Sequence, residues 1–307
     1  MKLSGRAWAA IVLLLAGGGI WLAVHERNRM AAASPAGMLR RLPPETATVL
    51  FVDFDTLRRG GVLKLLASSK AEEPEYQAFV RATGFDYQKD LDLAAASFNG
   101  DGEYFVVKGR FDWPKLRAYA AAQGGNCEGR MCRMAGSTPA RRISFLPLES
   151  NLMALAVSAD SSAVMRLAEA ATSHVQPLDL PRDPVWVSIP AESLKTTGQL
   201  PPGASFFTTA LGSADKILLS LGPEGQRLEA RLLVTCRTSG DAAALAGQLQ
   251  HATSLVREMI AREKQAPNAK DLSGVLTAGV FEQSGRRVLG RWALPAAFLE
   301  SLAAGGQ

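Results

Sequence analysis

Three aspartates invite a chemical reading. Asp53 and Asp55 close the apolar run "VLFVDFD", and Asp101 lies in the turn "NGDGEYF", two residues before Glu103. Residues two apart in a strand face the same side, so Asp53 and Asp55 would stand together. Two adjacent carboxylates with a third from a nearby turn form an oxygen set suited to Mg²⁺. The same residues also have a purely structural meaning. Asp53 can end a strand, Asp55 can cap a helix beginning at Thr56, and Asn-Gly-Asp-Gly is a turn sequence for its backbone angles alone.

Cys127 and Cys132 come next, in the Gly-rich stretch "GGNCEGRMC". Four residues between them suit a small disulfide ring in an oxidising compartment. A zinc site would want four ligands and tighter pairs. Cys236, in the apolar run "EARLLVTC", reads as a buried free thiol.

Nucleophile and base sets do not converge. His25 is juxtamembrane, His174 follows a helix, and His251 shares a solvated helix face with Glu258. Ser213 precedes Lys216 by three residues but opens a strand, and Lys195-Thr-Thr-Gly198 stands in the reverse order to penicillin-binding enzymes. No Gly-x-Ser-x-Gly elbow, phosphate loop or paired-cysteine metal motif occurs. The expectation is therefore a binding or scaffold protein with no catalytic residue and no cofactor. The alternative is a divalent-metal-dependent enzyme with Asp53, Asp55 and Asp101 as ligands.

Two resemblances bear on this choice. Val49–Asp55 with Asn99–Phe105 resembles the diguanylate cyclase pattern, in which a ferredoxin-like strand ends in an aspartate pair and a hairpin carries Gly and two acids before Phe. The resemblance implies metal-assisted nucleotide chemistry at Asp53, Asp55 and Asp101. The sequence departs from that pattern at Asn99, at Gly102 between the acids, and at Tyr104 before Phe105. Residues 42–57, "LPPETATVLFVDFDTL", resemble the start of bacterial membrane-anchored extracytoplasmic proteins of unknown function, which implies a location and no activity.

The elements that must position these residues follow from periodicity. Strands are expected over 48–54, 92–98 and 103–110, the last two turned at 99–102. Asp112 caps a helix with Pro114 in its first turn. "RISFLPL" and "LMALAVS" form a second hairpin, and "SSAVMRLAEAA" is a helix. The order then repeats: a strand from 185, a hairpin over 215–236, and a long helix with Leu245, Leu249, Ala252, Val256 and Met259 on one apolar face. A hairpin over 274–294 and a terminal helix close the chain. Trp186 and Trp292 are assigned to the core, while Trp113 beside Pro114 could anchor a partner. The expected fold is α+β: an N-terminal transmembrane helix, then a duplicated β-α-β-β-α-β-β-α unit, ferredoxin-like or related, with antiparallel or mixed sheets.

The expected divisions are a signal anchor over 1–24, a tether over 25–44, a first α+β half over 45–176 and a second, packed on the first, over 184–303. Ala7–Val24 holds 18 residues without a charge. As a helix it would reach about 27 Å, close to a hydrocarbon core of about 30 Å. Trp8 and Trp21 mark its ends. An uncleaved anchor and a cleaved signal peptide both export the remainder, and the length of the run favours the anchor. The expected location is the cell membrane, single-pass, with the C-terminal domain on the periplasmic side; secretion after cleavage is the alternative.

The net charge of +5 resides in the first 42 residues, six basic against one acidic, and the other 28 basic and 28 acidic residues cancel. A folded part without a net positive field argues against nucleic acid. The partners expected are membrane lipid through 7–24 and another envelope protein or a small ligand.

Overall fold

The computed structural model describes residues 32–43, 47–63, 73–138, 141–169, 181–190, 193, 211, 214–225 and 227–303. Among these, no helix is long and apolar enough to cross a membrane. The run Ala7–Val24 lies outside the described residues, as do His25, His174, Lys195–Gly198 and Ser213.

Twelve strands make one sheet. At its middle, β1 (Thr48–Asp53) pairs antiparallel with β8 (Val185–Pro190). On one side of this seam lie β2 (Leu91–Asn99), β3 (Gly102–Gly109), β7 (Leu152–Ser158), β6 (Arg142–Glu149), β5 (Met131–Ala135) and, at the edge, β4 (Asn126–Glu128). On the other lie β9 (Ala214–Glu224), β10 (Arg227–Cys236), β12 (Arg287–Leu294) and β11 (Val280–Ser284). The Phe51 and Trp186 rings stack across the seam with centroids 5.5 Å apart, and the Asp53 amide donates to the Pro184 carbonyl at 2.7 Å.

Alternation along the strands gives each face its own core. Register aligns Phe51, Ala95, Val106 and Ala154 on one face. Met38 of α1 (Pro35–Leu39) and Leu167 of α6 (Met165–Glu169) pack there, with Trp186. The opposite face of the first side carries Phe145 and Cys132 under α3 (Pro74–Thr83) and α5 (Trp113–Ala122). That same face on the second side carries Ile217, Leu232, Val234 and Val288 under α7 (Ser239–Arg262). Short helices α2 (Phe54–Arg59), α4 (Tyr87–Asp90), α8 (Leu272–Leu276) and α9 (Ala296–Ala303) complete the described elements.

This architecture overturns the ferredoxin-like duplication. A split β-α-β unit keeps its two strands parallel to each other and apart, with another strand between them, whereas β2 here pairs directly and antiparallel with β1, and all the described strands belong to one sheet. The segment between β1 and β2 returns the chain to pair β2 directly with β1. A β-α-β element order is compatible with either outcome, so periodicity does not separate them.

Smaller differences have local causes. The stretch expected as tether enters the core before its end, because Ala33, Met38 and Leu42 are buried. Residues 272–276 form α8, capped by Asp271, so the first strand of the hairpin expected over 274–294 begins only at Val280. Along α7, Leu245, Leu249 and Ala252 are buried but Met259 is 63% exposed, because the helix outruns the sheet that it covers. Thr238 and Asp241 close its start as a reciprocal capping box.

Candidate functional site

The three aspartates are placed by the β1–β2–β3 register. Asp53 lies opposite Leu93, and Asp101 follows Asn99, which lies opposite Gly102. Six residues of β2 separate those levels, about 20 Å at 3.3 Å per residue, so one cation cannot bridge Asp53 and Asp101. Asp53 is the cap of α2: its Oδ1 accepts from the Thr56 amide at 2.8 Å and its Oδ2 from the Thr56 hydroxyl at 2.9 Å. The cap therefore lies two residues before the expected Asp55. Asp55 pairs with Arg58 at 3.3 Å and Arg59 at 2.9 Å. Arg58 also reaches Asp92 at 3.6 Å and donates to the Gln88 and Leu91 carbonyls, tying α2 to the start of β2. Asp101 stands 3.7 Å from Arg166, and Glu103 accepts from Arg141 at 2.8 Å. Among the described residues no group of three or more His, Cys, Asp or Glu side chains is placed to share a metal ion.

Cys127 and Cys132 face each other in register across the β4–β5 hairpin and are joined by a disulfide. Cys132 is buried against Phe145 and Leu116, so the crosslink closes a hairpin that packs against α5. Cys236 is free and buried, and burial raises its pKa, with Asp241 and Asp215 adding to the shift. A thiol held protonated in this way is a poor nucleophile.

The concave features of the first side gather around α3 and α5. Between these helices runs a cleft of about 750 Å³. Ala78 and Ala82 line one wall, Ala118 and Ala122 the other, with Tyr119 at one side. Each alanine pair is spaced i, i+4, which stacks it on one helix face, and the short side chains leave the trough between. Around the N-terminus of α5 lies a second cleft of about 570 Å³, with Phe85, Phe111 and Trp113 among its lining residues. Its charges are internally paired: Arg110 with Asp90 at 3.0 Å and Lys115 with Asp112 at 3.1 Å.

Five rings connect the two clefts. Centroid separations are 5.2 Å for Tyr119–Phe79, 6.4 Å for Phe79–Phe85, 5.3 Å for Phe85–Phe111 and 5.3 Å for Phe111–Trp113. Such contacts hold aromatic rings in fixed relative orientations. Gly84 ends α3 at φ +72, and a Cβ there would lie 3.4 Å from Lys115 Nζ. The turn thus brings Phe85 back beside the start of α5. Trp113 is partly buried, and its indole N–H donates to the Ser150 carbonyl at 2.9 Å. At the base of this region the Asp86 carboxylate takes hydrogen bonds from the Tyr76 hydroxyl at 2.8 Å and the Gln88 amide at 3.0 Å. Burial pushes the Asp86 pKa up, but bonds from Lys89, Tyr76 and Gln88 outweigh it, and the net direction is down.

Trp113 stands out in the sequence; Phe79, Phe85, Phe111 and Tyr119 do not. Their signal is weak, since four aromatics spread over 41 residues make no motif. The alanine spacing on two separate helices is legible, but which helices become neighbours is not.

No protein-family pattern matches the chain. No curated protein matches it either. Among solved structures, crystal forms IV, I and III of TP0453 are similar to it, with TM-scores of 0.46, 0.47 and 0.49 and identities of 8%, 10% and 8%. They cover 88%, 87% and 87% of this chain and 96%, 96% and 98% of those chains. A likeness at that level carries no argument about activity or partners.

Proposed function

We propose that this chain is a membrane-anchored extracytoplasmic protein that acts by binding, and that the α3–α5 groove takes an apolar segment of another envelope protein. The observation that carries the reading is the run of five partly buried rings joining two clefts. Rigid aromatic surface beside a concave, alanine-walled trough offers contact area at low entropic cost, which is what binding hot spots use. Two further features support the location. Ala7–Val24 suits export, and the Cys127–Cys132 bond suits an oxidising compartment. A metal-dependent enzyme is disfavoured by positive geometry, because Asp53 is occupied as a cap, Asp55 is ion-paired and Asp101 lies at the far end of β2.

The test is site-specific photocrosslinking in intact membranes. A photoreactive residue at Ala118 should yield one discrete adduct, and the same probe at Gln248, exposed on α7, should not. Trp113→Ala should weaken capture about ten-fold or more, the size of a hot-spot loss. Equal adducts from both positions, or capture indifferent to Trp113→Ala, would overturn the groove. The metal reading has its own check: millimolar Mg²⁺ or Mn²⁺ should leave the Tm of the full chain unchanged in wild type and in Asp53→Asn alike.

A further inference from the structure

A third cleft, of about 370 Å³, lies where the β4–β5–β6 edge meets the residues after β7. Its volume is within the range of about 300–1,000 Å³ typical of small-ligand sites. Arg133, Arg141 and Arg142 all line it, together with Asn126, Thr138 and Ser161, and its described lining holds no carboxylate. The folded part of the chain carries balanced charge, so three guanidinium groups around one concavity are a local concentration.

The state of each arginine is specific. Arg133 Nη1 donates to Glu128 Oε2 at 3.0 Å, but its Nε is buried with no hydrogen-bond partner among the described residues. The Ser144 hydroxyl, on the residue opposite Arg133 in register, is buried and unpartnered in the same sense. A buried donor without an acceptor is costly, and an arginine uses five donors in a planar fork. Arg141 donates to Glu103 at 2.8 Å through Nη2. Arg142 is exposed and has no ion pair among the described residues. The nearby Asp160 carboxylate is taken up by the Ser162 amide and hydroxyl at 2.8 and 2.7 Å. The turn that presents Arg141 and Arg142 is closed by backbone bonds from the Gly136 amide to the Arg141 carbonyl at 2.8 Å and from the Arg141 amide to the Thr138 carbonyl at 3.0 Å. The arginines therefore project from a hydrogen-bonded frame.

We propose that this cleft binds a phosphate group, with Arg133 and Arg142 as the principal donors, Arg141 at the rim, and the Thr138 and Ser161 hydroxyls completing the contacts. Guanidinium forks match the oxygen geometry of phosphate, and such bonds are charge-assisted. The cleft is roomier than a bare phosphate requires, so a phosphate ester fits as well. The phosphate could belong to a soluble molecule or to a lipid headgroup. The proposal stands independently of the α3–α5 groove, which shares none of these residues.

The test uses the full-length chain in neutral detergent, titrated with inorganic phosphate against sodium chloride at matched ionic strength. Wild type should show a Tm rise over the chloride control that grows with the logarithm of phosphate concentration. Arg142→Gln should fold with an unchanged Tm in chloride and bind phosphate about ten-fold more weakly, the loss expected for one charge-assisted bond. Arg110→Gln, in the Trp113 cleft, should bind like wild type. A second arm adds phosphatidylglycerol or phosphatidylcholine vesicles. Given a phosphate-specific, Arg142-dependent response, competition by phosphatidylglycerol supports the site with a headgroup as its source, and binding undisturbed by either lipid supports it with a free phosphate. A response no different from chloride, or one that Arg142→Gln leaves intact, overturns the site.

Discussion

Outward from the β1–β8 seam, the first side runs β1-β2-β3-β7-β6-β5-β4 and the second β8-β9-β10-β12-β11, so each sets its last strand beside its third, yet they furnish the same face very differently. The second side lays one long helix, α7, on it and buries Ala242, Leu245 and Leu249 against Ile217 and Val234. The first side covers it with two ten-residue helices, α3 and α5, and adds the disulfide-closed β4–β5 hairpin at its edge. One long helix makes a continuous lid. Two short helices leave a trough between them and corners at their ends, and three clefts among the described residues of the first side border that arrangement. The polar groups divide in the same way. On the second side, Arg231 is saturated by Asp183 at 2.6 Å, Glu224 at 2.6 Å and Glu229 at 2.8 Å. On the first, Arg133 keeps a donor unpaired and Arg142 has no ion pair among the described residues. Closed hydrogen-bond accounts belong to structure, and open ones mark where a ligand could contribute.

The largest expected effect tests whether the two sides are one body. Trp186 is buried at the seam, stacked on Phe51. Trp186→Ala should cost about 3–5 kcal/mol, as for other large-to-small core changes, and should shift a single cooperative unfolding transition followed by circular dichroism. Two separated transitions would show that the sides fold independently.

Next in size is the crosslink found on the first side alone among the described residues. Replacing Cys127 and Cys132 together by Ser should cost about 2 kcal/mol, the chain-entropy value for a loop of about five residues. Hydrogen exchange should rise over α5 and β4–β5 and stay unchanged in α7. Uniform loss of protection would remove the distinction between the sides.

The smallest effect is acid sensitivity. Asp86, Asp112 and Asp160 on the first side all have lowered pKa values, as does Asp271 on the second. A carboxylate with a depressed folded pKa stabilises above its ordinary value of about 3.9, and that contribution disappears as pH falls through the lower folded value. The melting temperature should therefore drop below about pH 4. Asp86→Asn should lose about 1 kcal/mol near neutrality, the worth of a typical hydrogen bond, and should show a shallower acid decline. An acid profile identical to wild type would mean that the Tyr76–Asp86–Lys89 contacts do not stabilise α3 and α4.

Caps, turns and faces are legible in the residue types and their spacing. Asp112 accepts from the Lys115 amide at 3.1 Å, Asn99 Oδ1 accepts from the Asp101 and Gly102 amides at 3.0 and 3.1 Å, and Thr238 starts α7. Each depends on groups within four residues of one another, so local sequence suffices. The three-residue strand β4 is not legible, because so short a segment has no period to detect and its pairing is held by a crosslink. The aromatic ladder is hidden for another reason: its members come from α3, the turn after it, the link between β3 and α5, and α5 itself.

Local residue chemistry was thus enough to place strands, caps and hairpin turns, since each reports on near neighbours along the chain. The seam between β1 and β8, the antiparallel return of β2, the separation of Asp53 from Asp101 and the gathering of three arginines at one edge were settled by packing. Those outcomes depend on which strands share hydrogen bonds across tens to more than a hundred residues, and alternation of apolar and polar side chains says which face is buried without naming the neighbour.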